Sequence, residues 1–244
     1  YYTTNKSEFP IFWDVFEKIK PYLQESNYRG FIDVNTILTE NSEWYGLEWT
    51  CRLGVPLYSL FFTLFDNPVT EILLSVAKGE DIELKPKAKY VNGIVIAVPT
   101  FPYPSDRCRD LPIILLNNSE NINLFDIKKQ GDGYVTAGTY GLVAVVTGIG
   151  NTDLEAYTNS YINIKNILIP RMFYRSDIGI NYFKSKEYLK NKGLLRLSET
   201  LILKEKLFDE VREFLTKFIK NPITLGILTY LIYSILKKRI KDNF

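Results

Sequence analysis

YRGFIDVNTILTENSEWYGLEWTCRLGVP, residues 28–56, predicts two β-strands joined by a turn. Residues 30–39 are rich in Phe, Ile, Val and Thr, and residues 44–52 form a second strand-like run. The polar cluster at residues 40–43 supplies the turn between the two runs. We therefore expect a β-hairpin, around which the rest of the chain is arranged.

One face of this hairpin carries polar side chains that can bind a metal ion. Because side chains alternate between the faces of a strand, Glu48, Thr50 and Arg52 share one face. Asp33 lies inside an apolar run of the first strand, and a hairpin can bring it beside Glu48. Two carboxylates that close together repel each other unless a cation lies between them. Mg²⁺ prefers such hard oxygen ligands, and Arg52 can bind a phosphate or a carboxylate.

The same pattern has a simpler interpretation. A polar hairpin face is ordinarily solvated, and acids close to an Arg are ordinarily surface ion pairs. The residue pattern alone leaves both interpretations open.

The segments GFIDVN (30–35) and GLEWTCRLGVP (46–56) resemble the metal-binding strand pair of the ATP-grasp ligases, in particular the phosphoribosylamine–glycine ligase family. In that superfamily an acid on one strand and Glu-x-Asn on the next hold the magnesium ions of ATP. The resemblance implies that Asp33 and Glu48 are metal ligands and that Thr50 assists them. It also implies that Arg52 is both a catalytic and a cofactor-binding residue.

Three residues depart from the family pattern. Thr50 stands where Asn is usual, Val55 where Asp is usual, and Leu57 where Glu is usual. A Thr hydroxyl can still bind Mg²⁺, so the metal prediction stands. The changes at Val55 and Leu57 leave the identity of the substrates open.

Composition restricts the classes of function. The chain has 244 residues, of which 46% are hydrophobic and 24% charged, which is typical of a globular protein. With a net charge of +2 it shows no electrostatic signature of nucleic-acid binding. The sequence has no histidine and two cysteines, Cys51 and Cys108, so we expect any metal ion to be held by oxygen ligands.

The remaining patterns predict an α+β fold in three parts. Residues 1–80 are expected to be the C-terminal part of an ATP-grasp domain, with helices over residues 10–26, 57–65 and 69–78 beside the hairpin. The polar segment 79–89 marks a boundary. Residues 81–183 are expected to form a small β-rich barrel or sandwich-hybrid domain, and residues 184–244 a helical extension. The short strands of the second part are expected at residues 93–99, 113–116, 123–128, 134–138 and 142–148.

A second segment carries the resemblance further along the chain. LVAVVTGIGNTDLEAYTNSYINIKNI (142–167) and MFYRSDIG (172–179) resemble the C-terminal domain of the same ligases. Thr152 and Glu155 form a capping box that begins a helix expected over residues 153–168. The resemblance implies that YRSDIG helps to join the two domains, whereas a local Arg175–Asp177 pair is the simpler interpretation.

The last part of the chain lies outside this resemblance. Residues 199–220 predict an amphipathic helix, and residues 223–236 form an uncharged run that is short for a membrane span. We expect a buried or partner-facing helix there, so self-association through this tail is an open prediction. The basic residues 237–239 that follow leave binding to a membrane surface open as an alternative. The chain begins with Tyr and shows no signal-peptide pattern, which predicts a cytoplasmic protein and a fragment of a longer one.

The first hypothesis for function is an ATP-dependent carboxylate–amine ligase that uses ATP and Mg²⁺ or Mn²⁺ in purine biosynthesis, with glycine and 5-phosphoribosylamine as small-molecule substrates. The second is a diverged ligase with another acid and amine, which Val55 and Leu57 favour. The third is a non-catalytic interaction module. The sequence shows no Gly-rich phosphate loop, so we expect these 244 residues alone to be inactive.

Overall fold

The computed structural model describes residues 10–41, 43–116 and 120–192, and its elements follow the order expected of an α+β protein. The chain divides into two units, residues 1–185 and 186–244. The elements in the first part of the chain are α1 (Pro10–Glu25), β1 (Asp33–Leu38), β2 (Trp44–Thr50), α2 (Leu57–Leu64) and α3 (Val69–Lys78). They are followed by β3 (Tyr90–Ala97), β4 (Pro112–Leu115), β5 (Ile122–Leu124), β6 (Ile127–Gln130), β7 (Gly133–Thr136), β8 (Leu142–Gly150), α4 (Asp153–Asn163), β9 (Ile167–Leu168) and α5 (Ile180–Asn191).

Within residues 10–41, 43–116 and 120–192, the strands form three separate antiparallel sheets. The hairpin β1–β2 is a sheet of its own, β3-β8-β5 is a second, and β6-β7-β4-β9 is a third. The predicted α+β class with antiparallel strands is therefore confirmed. The division into residues 1–80, 81–183 and 184–244, and the barrel or sandwich-hybrid form of the middle part, stay predictions.

Strand β8 lies at the centre of the buried core. Val143, Ala144, Val145 and Val146 are all fully buried or nearly so, and side chains on both faces of the strand are therefore excluded from water. A strand buried on both faces reads as a continuous apolar run rather than an alternating one. This explains why residues 142–146 are uniformly apolar.

Helices α2 and α4 cover opposite faces of the β3–β8 pair. Gly148 pairs with Asn92, whose amide Nδ2 donates to Ser160 Oγ on α4 at 2.7 Å. The neighbouring pair, Gly93 and Thr147, faces α2, where the hydroxyls of Thr147 and Thr63 lie 3.2 Å apart. Because α2 follows directly from the hairpin, its packing on β3 and β8 fixes the hairpin to the rest of the first unit.

A β-bulge interrupts the hairpin. Asn35 pairs with Glu48 and Thr36 pairs with Gly46, so Leu47 has no partner in the register of these two strands. Such an extra residue bends and twists its strand locally. The bulge lies next to Glu48, one of the predicted metal ligands on the polar face of the hairpin.

Most of the predicted elements appear within one to three residues of their expected ends. The predicted capping box of α4 is present, and Gly79 ends α3 in the left-handed conformation at φ 71°. Helix α1 continues through Pro21, which does not split it.

Two elements differ from the sequence prediction. The helix expected over 153–168 ends at Asn163, because residues 164–166 form a 3-10 turn and Ile167 pairs with Leu115 of β4. The strand expected over 123–128 is two strands, since Asp126 adopts φ 44° between β5 and β6. In both places a pairing distant in sequence overrides the local pattern.

The helices predicted over residues 199–220 and 223–236 lie outside the described residues. Within the part of the chain that the structure describes, no helix is long and apolar enough to cross a membrane.

Candidate active site

The hairpin brings four polar side chains of two strands onto one face. Asp33 lies directly opposite Thr50, and Asn35 lies directly opposite Glu48. The amide Nδ2 of Asn35 donates to Glu48 Oε1 at 3.0 Å. The Thr50 hydroxyl is 3.5 Å from Asp33 Oδ2, at the limit of a hydrogen bond. Two carboxylates, an amide and a hydroxyl therefore form one oxygen-rich surface.

This surface is one wall of an open cleft of about 570 Å³. After β2 the chain turns at residues 51–56 and enters α2, so the turn forms the second wall. The cleft is lined by Asp33, Asn35, Glu48, Thr50, Arg52, Leu53, Gly54, Val55, Pro56 and Leu57. The lining thus changes from acidic and polar on the hairpin to apolar at the start of the helix.

Arg52 supplies positive charge at the point where the two walls meet. Its side chain is exposed and donates from Nη1 to the Leu53 carbonyl oxygen at 3.5 Å, which is a marginal bond. The guanidinium therefore keeps most of its donors for a ligand. A planar guanidinium with free donors suits a phosphate or a carboxylate, which it can bind in a bidentate manner.

Gly54 marks the place where the cleft groups converge. A side-chain Cβ at this position would lie 3.9 Å from Arg52 Nη1, 3.9 Å from Asp33 Oδ2 and 3.9 Å from Leu57 Cβ. The absence of a side chain at Gly54 therefore leaves open a space that a cation, a carboxylate and an apolar group all border.

The donor set fits a hard divalent cation. Asp33 and Glu48 provide carboxylate oxygens, and Asn35 and Thr50 provide neutral oxygens, which are the ligand types that Mg²⁺ accepts. Among the described residues, no group of three or more His, Cys, Asp and Glu side chains is placed to hold a metal ion. The coordination shell of a cation in this cleft would therefore combine the two carboxylates and the neutral oxygens with further oxygen ligands from substrate or water.

All four residues predicted from the sequence, Asp33, Glu48, Thr50 and Arg52, line this single cleft. Their roles as metal ligands and phosphate-binding residue stay predictions. Asn35 was not predicted as a site residue, although it stands two residues after Asp33 and strand alternation places both on one face. That spacing was the signal that could have found it.

The YRSDIG segment contains a local ion pair. Arg175 donates from Nε to Asp177 Oδ1 at 2.9 Å and from Nη2 to Oδ2 at 2.7 Å. These bonds hold the pKa of the Asp177 carboxyl below its usual value and raise the pKa of Arg175. The simpler interpretation, a local pair, therefore describes these two side chains, which are exposed and contribute little to stability.

Tyr161 fastens the same segment to α4. Its hydroxyl lies 3.0 Å from the Arg175 carbonyl oxygen and 3.4 Å from the Ile178 carbonyl oxygen, and it accepts a bond from the Ile178 N–H at 3.1 Å. Burial, with a smaller effect of neighbouring Tyr157, raises the pKa of Tyr161 to about 12. The phenol is therefore a neutral structural anchor.

Comparison with known proteins supports the resemblance seen in the sequence. No family model matches the chain. Curated proteins named phosphoribosylamine–glycine ligase do match it. The enzyme from Leptospira interrogans is 26% identical over 176 residues, covering 70% of this chain and 39% of that protein. Those from Nostoc sp. and Vibrio vulnificus are 29% and 27% identical, covering 68% of this chain and 40% and 39% of theirs.

A solved structure gives the same result for the fold. The crystal structure of phosphoribosylamine–glycine ligase from Thermotoga maritima matches with a TM-score of 0.59 and 24% identity, over 72% of this chain and 44% of that one. The chain thus spans about two fifths of the length of the curated relatives it matches. Over about 70% of its length it is similar to the phosphoribosylamine–glycine ligases, and it shares the fold of the part of the solved enzyme that it covers.

Proposed function

We propose that this chain provides the metal- and phosphate-binding hairpin of an ATP-dependent carboxylate–amine ligase of the phosphoribosylamine–glycine ligase type. One observation carries the proposal: Asp33, Glu48, Thr50 and Arg52 line a single cleft in a chain similar to those enzymes. The cleft has the oxygen ligands for a divalent cation and the guanidinium for a phosphate, which ATP-dependent ligation requires together.

In this proposal each cleft residue has a defined task. Asp33 and Glu48 hold Mg²⁺ or Mn²⁺, with Thr50 as an additional oxygen ligand. Asn35 fixes the Glu48 carboxylate through its 3.0 Å hydrogen bond. The metal ion, when bound, neutralises the charge on the phosphates of ATP. Arg52 stabilises the phosphoryl group during transfer and the acyl phosphate that results.

The proposed reaction has two steps. A carboxylate oxygen of the acid attacks the γ-phosphorus of ATP, the bond to the bridging oxygen breaks, and ADP leaves. The amine nitrogen then attacks the acyl carbon, a C–N bond forms, and inorganic phosphate leaves with the former carboxylate oxygen. The amine releases its proton to solvent. Glycine and 5-phosphoribosylamine are the first candidate pair, because the names of the relatives contain both compounds. With this pair, the proposed reaction would belong to purine biosynthesis.

A second candidate function is the same chemistry with another acid and amine. Val55 and Leu57 line the cleft where the family pattern has Asp and Glu. Two carboxylates that could contact a charged or hydroxylated substrate are thereby replaced by two aliphatic side chains.

The test is ligation by the product of the complete gene. ATP-dependent phosphate release should require both an acid and an amine, and Glu48→Gln should abolish it while the unfolding midpoint stays within the error of the wild type. Glu71→Gln changes an acid on α3 that is also exposed; it serves as the control and should leave activity unchanged. Full activity in Glu48→Gln would show that the metal-ligand assignment is wrong.

A further inference from the structure

The strand pairing of the hairpin ends before it reaches Arg52. The last pair of the β1–β2 register is Asp33–Thr50, and β2 ends at Thr50. Arg52 therefore lies two residues beyond the last paired position. Its own side-chain bond, from Nη1 to the Leu53 carbonyl oxygen, is marginal at 3.5 Å. A contact other than strand pairing must therefore set the position of this guanidinium relative to the carboxylates of the hairpin.

The hydroxyl of Tyr28 supplies such a contact at the open end of the hairpin. It donates to the Phe31 carbonyl oxygen at 2.7 Å and lies 3.4 Å from the Cys51 carbonyl oxygen. One hydroxyl proton can be shared between two acceptors in this way. Phe31 lies two residues before Asp33, and the Cys51 carbonyl belongs to the peptide unit that leads into Arg52. Because a peptide unit is planar, a contact on this carbonyl also fixes the direction in which the chain enters Arg52.

The phenol of Tyr28 is itself held in place. Its backbone N–H donates to the Leu23 carbonyl oxygen near the end of α1 at 2.9 Å, and its side chain is half-buried. A Cβ on Gly30 would lie 2.7 Å from the hydroxyl oxygen, which is closer than a side-chain carbon can approach. The absence of a side chain at Gly30 therefore leaves the space in which the hydroxyl reaches its two carbonyls.

The contact sets the distance between the two charged sides of the cleft. Arg52 Nη1 and Asp33 Oδ2 each lie 3.9 Å from the same point, the position of a Cβ on Gly54, so the two atoms are at most about 8 Å apart. A span of this size suits a phosphate group that meets the guanidinium on one side and a metal ion on Asp33 on the other. A displacement of about 1 Å at either side is enough to weaken such a joint contact.

Resting on the ligase function proposed above, we propose that Tyr28 is a positioning residue for Arg52. Its hydroxyl holds the peptide unit between Cys51 and Arg52 against the start of β1. The guanidinium is thereby kept at the distance from Asp33 at which one phosphate contacts both the guanidinium and the metal ion. Tyr28 is not among the residues that line the cleft, so it acts through Arg52 and not on the ligand.

The experiment compares the binding of Mn²⁺ alone with the binding of the Mn²⁺–pyrophosphate complex, by water-proton relaxation on the 244-residue chain. Tyr28→Phe should bind Mn²⁺ as the wild type does but should bind the complex about fivefold more weakly, which is the effect of one hydrogen bond. Tyr22→Phe, on α1 and 71% exposed, is the control and should change neither affinity. Unchanged binding of the complex by Tyr28→Phe would overturn the proposal. An equal loss for Mn²⁺ alone would also overturn it, because Tyr28 would then support the hairpin as a whole.

A second variant moves the hydroxyl without removing it. Gly30→Ala places a Cβ where the hydroxyl lies, so it should reproduce the selective loss of the complex. Gly46→Ala, whose Cβ meets no atom within 4 Å, should bind both probes as the wild type does. If Tyr28→Phe does not fold, Gly30→Ala decides the question by the same two affinities.

A double-mutant cycle separates a positioning role from a structural one. Arg52→Ala should weaken binding of the complex, and adding Tyr28→Phe to it should cause no further loss, because the hydroxyl acts through the guanidinium. A further fivefold loss in the double variant would overturn the proposal. If Arg52→Ala weakens binding and Tyr28→Phe does not, the positioning role alone is wrong. If Arg52→Ala itself has no effect, the phosphate-binding role of Arg52 in the proposed ligase function is wrong, and the role of Tyr28 with it.

Discussion

Asn35 donates its side-chain amide to Glu48 Oε1 across the hairpin at 3.0 Å, and the two residues lie directly opposite each other in the β1–β2 register. A carboxylate held in this way keeps its second oxygen for another ligand. Outer-shell partners of metal-binding carboxylates commonly change metal affinity by one to two orders of magnitude when they are removed.

Asn35→Ala should therefore weaken Mn²⁺ binding by about tenfold. The hydrogen bond that orients Glu48 is lost, while both proposed carboxylate ligands remain. Water-proton relaxation on the 244-residue chain measures the affinity. Thr36→Ala, the neighbouring position on β1, is the control and should bind Mn²⁺ as the wild type does. An unchanged affinity in Asn35→Ala would mean that Glu48 is oriented by other groups.

Restoring the residue that is usual in the family should strengthen the site. Thr50→Asn places an amide oxygen, a stronger ligand than a hydroxyl, beside Asp33, and we expect Mn²⁺ to bind several-fold more tightly. Isothermal calorimetry with Mn²⁺ on the same chain tests this. Weaker binding by Thr50→Asn would show that the Thr50 hydroxyl is itself the better ligand in this cleft.

The 244-residue chain should neither hydrolyse ATP nor bind it tightly on its own. The cleft presents groups for the metal ion and for phosphate, and none of its lining residues is an aromatic side chain on which an adenine ring could stack. Because phosphoryl transfer depends on precise positioning of all groups, part of a site loses nearly all of the rate. Calorimetric titration with Mg-ATP is the measurement. Micromolar binding would show that the nucleotide site is complete within these residues.

Tyr161→Phe should destabilise the first unit by about 2 kcal/mol, because it removes the hydroxyl that donates to the Arg175 carbonyl oxygen and accepts from the Ile178 N–H. The pKa of Tyr161 is raised from its ordinary 10.0 to about 12 in the folded chain. The neutral phenol therefore stabilises the fold fully below pH 10, and this contribution disappears as the pH rises through 12.

Urea unfolding of wild type and Tyr161→Phe at pH 8, 10 and 11.5 tests both statements. The difference in unfolding free energy between the two proteins should be largest at pH 8 and smallest at pH 11.5. A difference that does not change with pH would contradict the assignment of the raised pKa to Tyr161.

Gly148→Ala should destabilise the core by about 3 kcal/mol. A Cβ on Gly148 would overlap the backbone of Ser160, so α4 would have to move away from β8. Gly46→Ala is the matched control, since a Cβ there meets no atom within 4 Å, and it should change stability little. Thermal unfolding measures both. Equal unfolding midpoints for the two variants would show that α4 is free to shift.

The parts of the fold that depend on local pattern were predictable, and the parts that depend on distant pairing were not. The strand composition of residues 30–39 and 44–52 located the hairpin, and alternation grouped Glu48 with Thr50. Arg52 was expected on the same strand face, but β2 ends at Thr50, and Arg52 lines the cleft from the turn that follows. The end of α4 was not predictable from its apolar positions, since Ile167 leaves the helix to pair with Leu115.

In the candidate site, too, local pattern predicted some features and distant pairing decided the others. Alternation along β2 was enough to group its residues, but the partner of each residue depends on register, which a bulge changes. The pairing of Asn35 with Glu48 follows from that register and not from either strand alone. Leu57, Arg52 and Asp33 come together around Gly54. This arrangement depends on the path of the turn at residues 51–56, and a turn has no repeating hydrophobic pattern from which its path could be predicted.

The unpaired Leu47 allows the curvature of the hairpin to change without any change in its other strand pairings. Removing this residue would leave Thr36–Gly46 and Asn35–Glu48 as adjacent pairs, in regular succession, with the pairings on both sides unchanged. The deletion would straighten β2 without changing the chemistry of the cleft. The curvature of β2 can therefore be changed while every side chain of the cleft is kept. Gain or loss of the bulge residue would change the angle between Asp33 and Glu48 without replacing either acid.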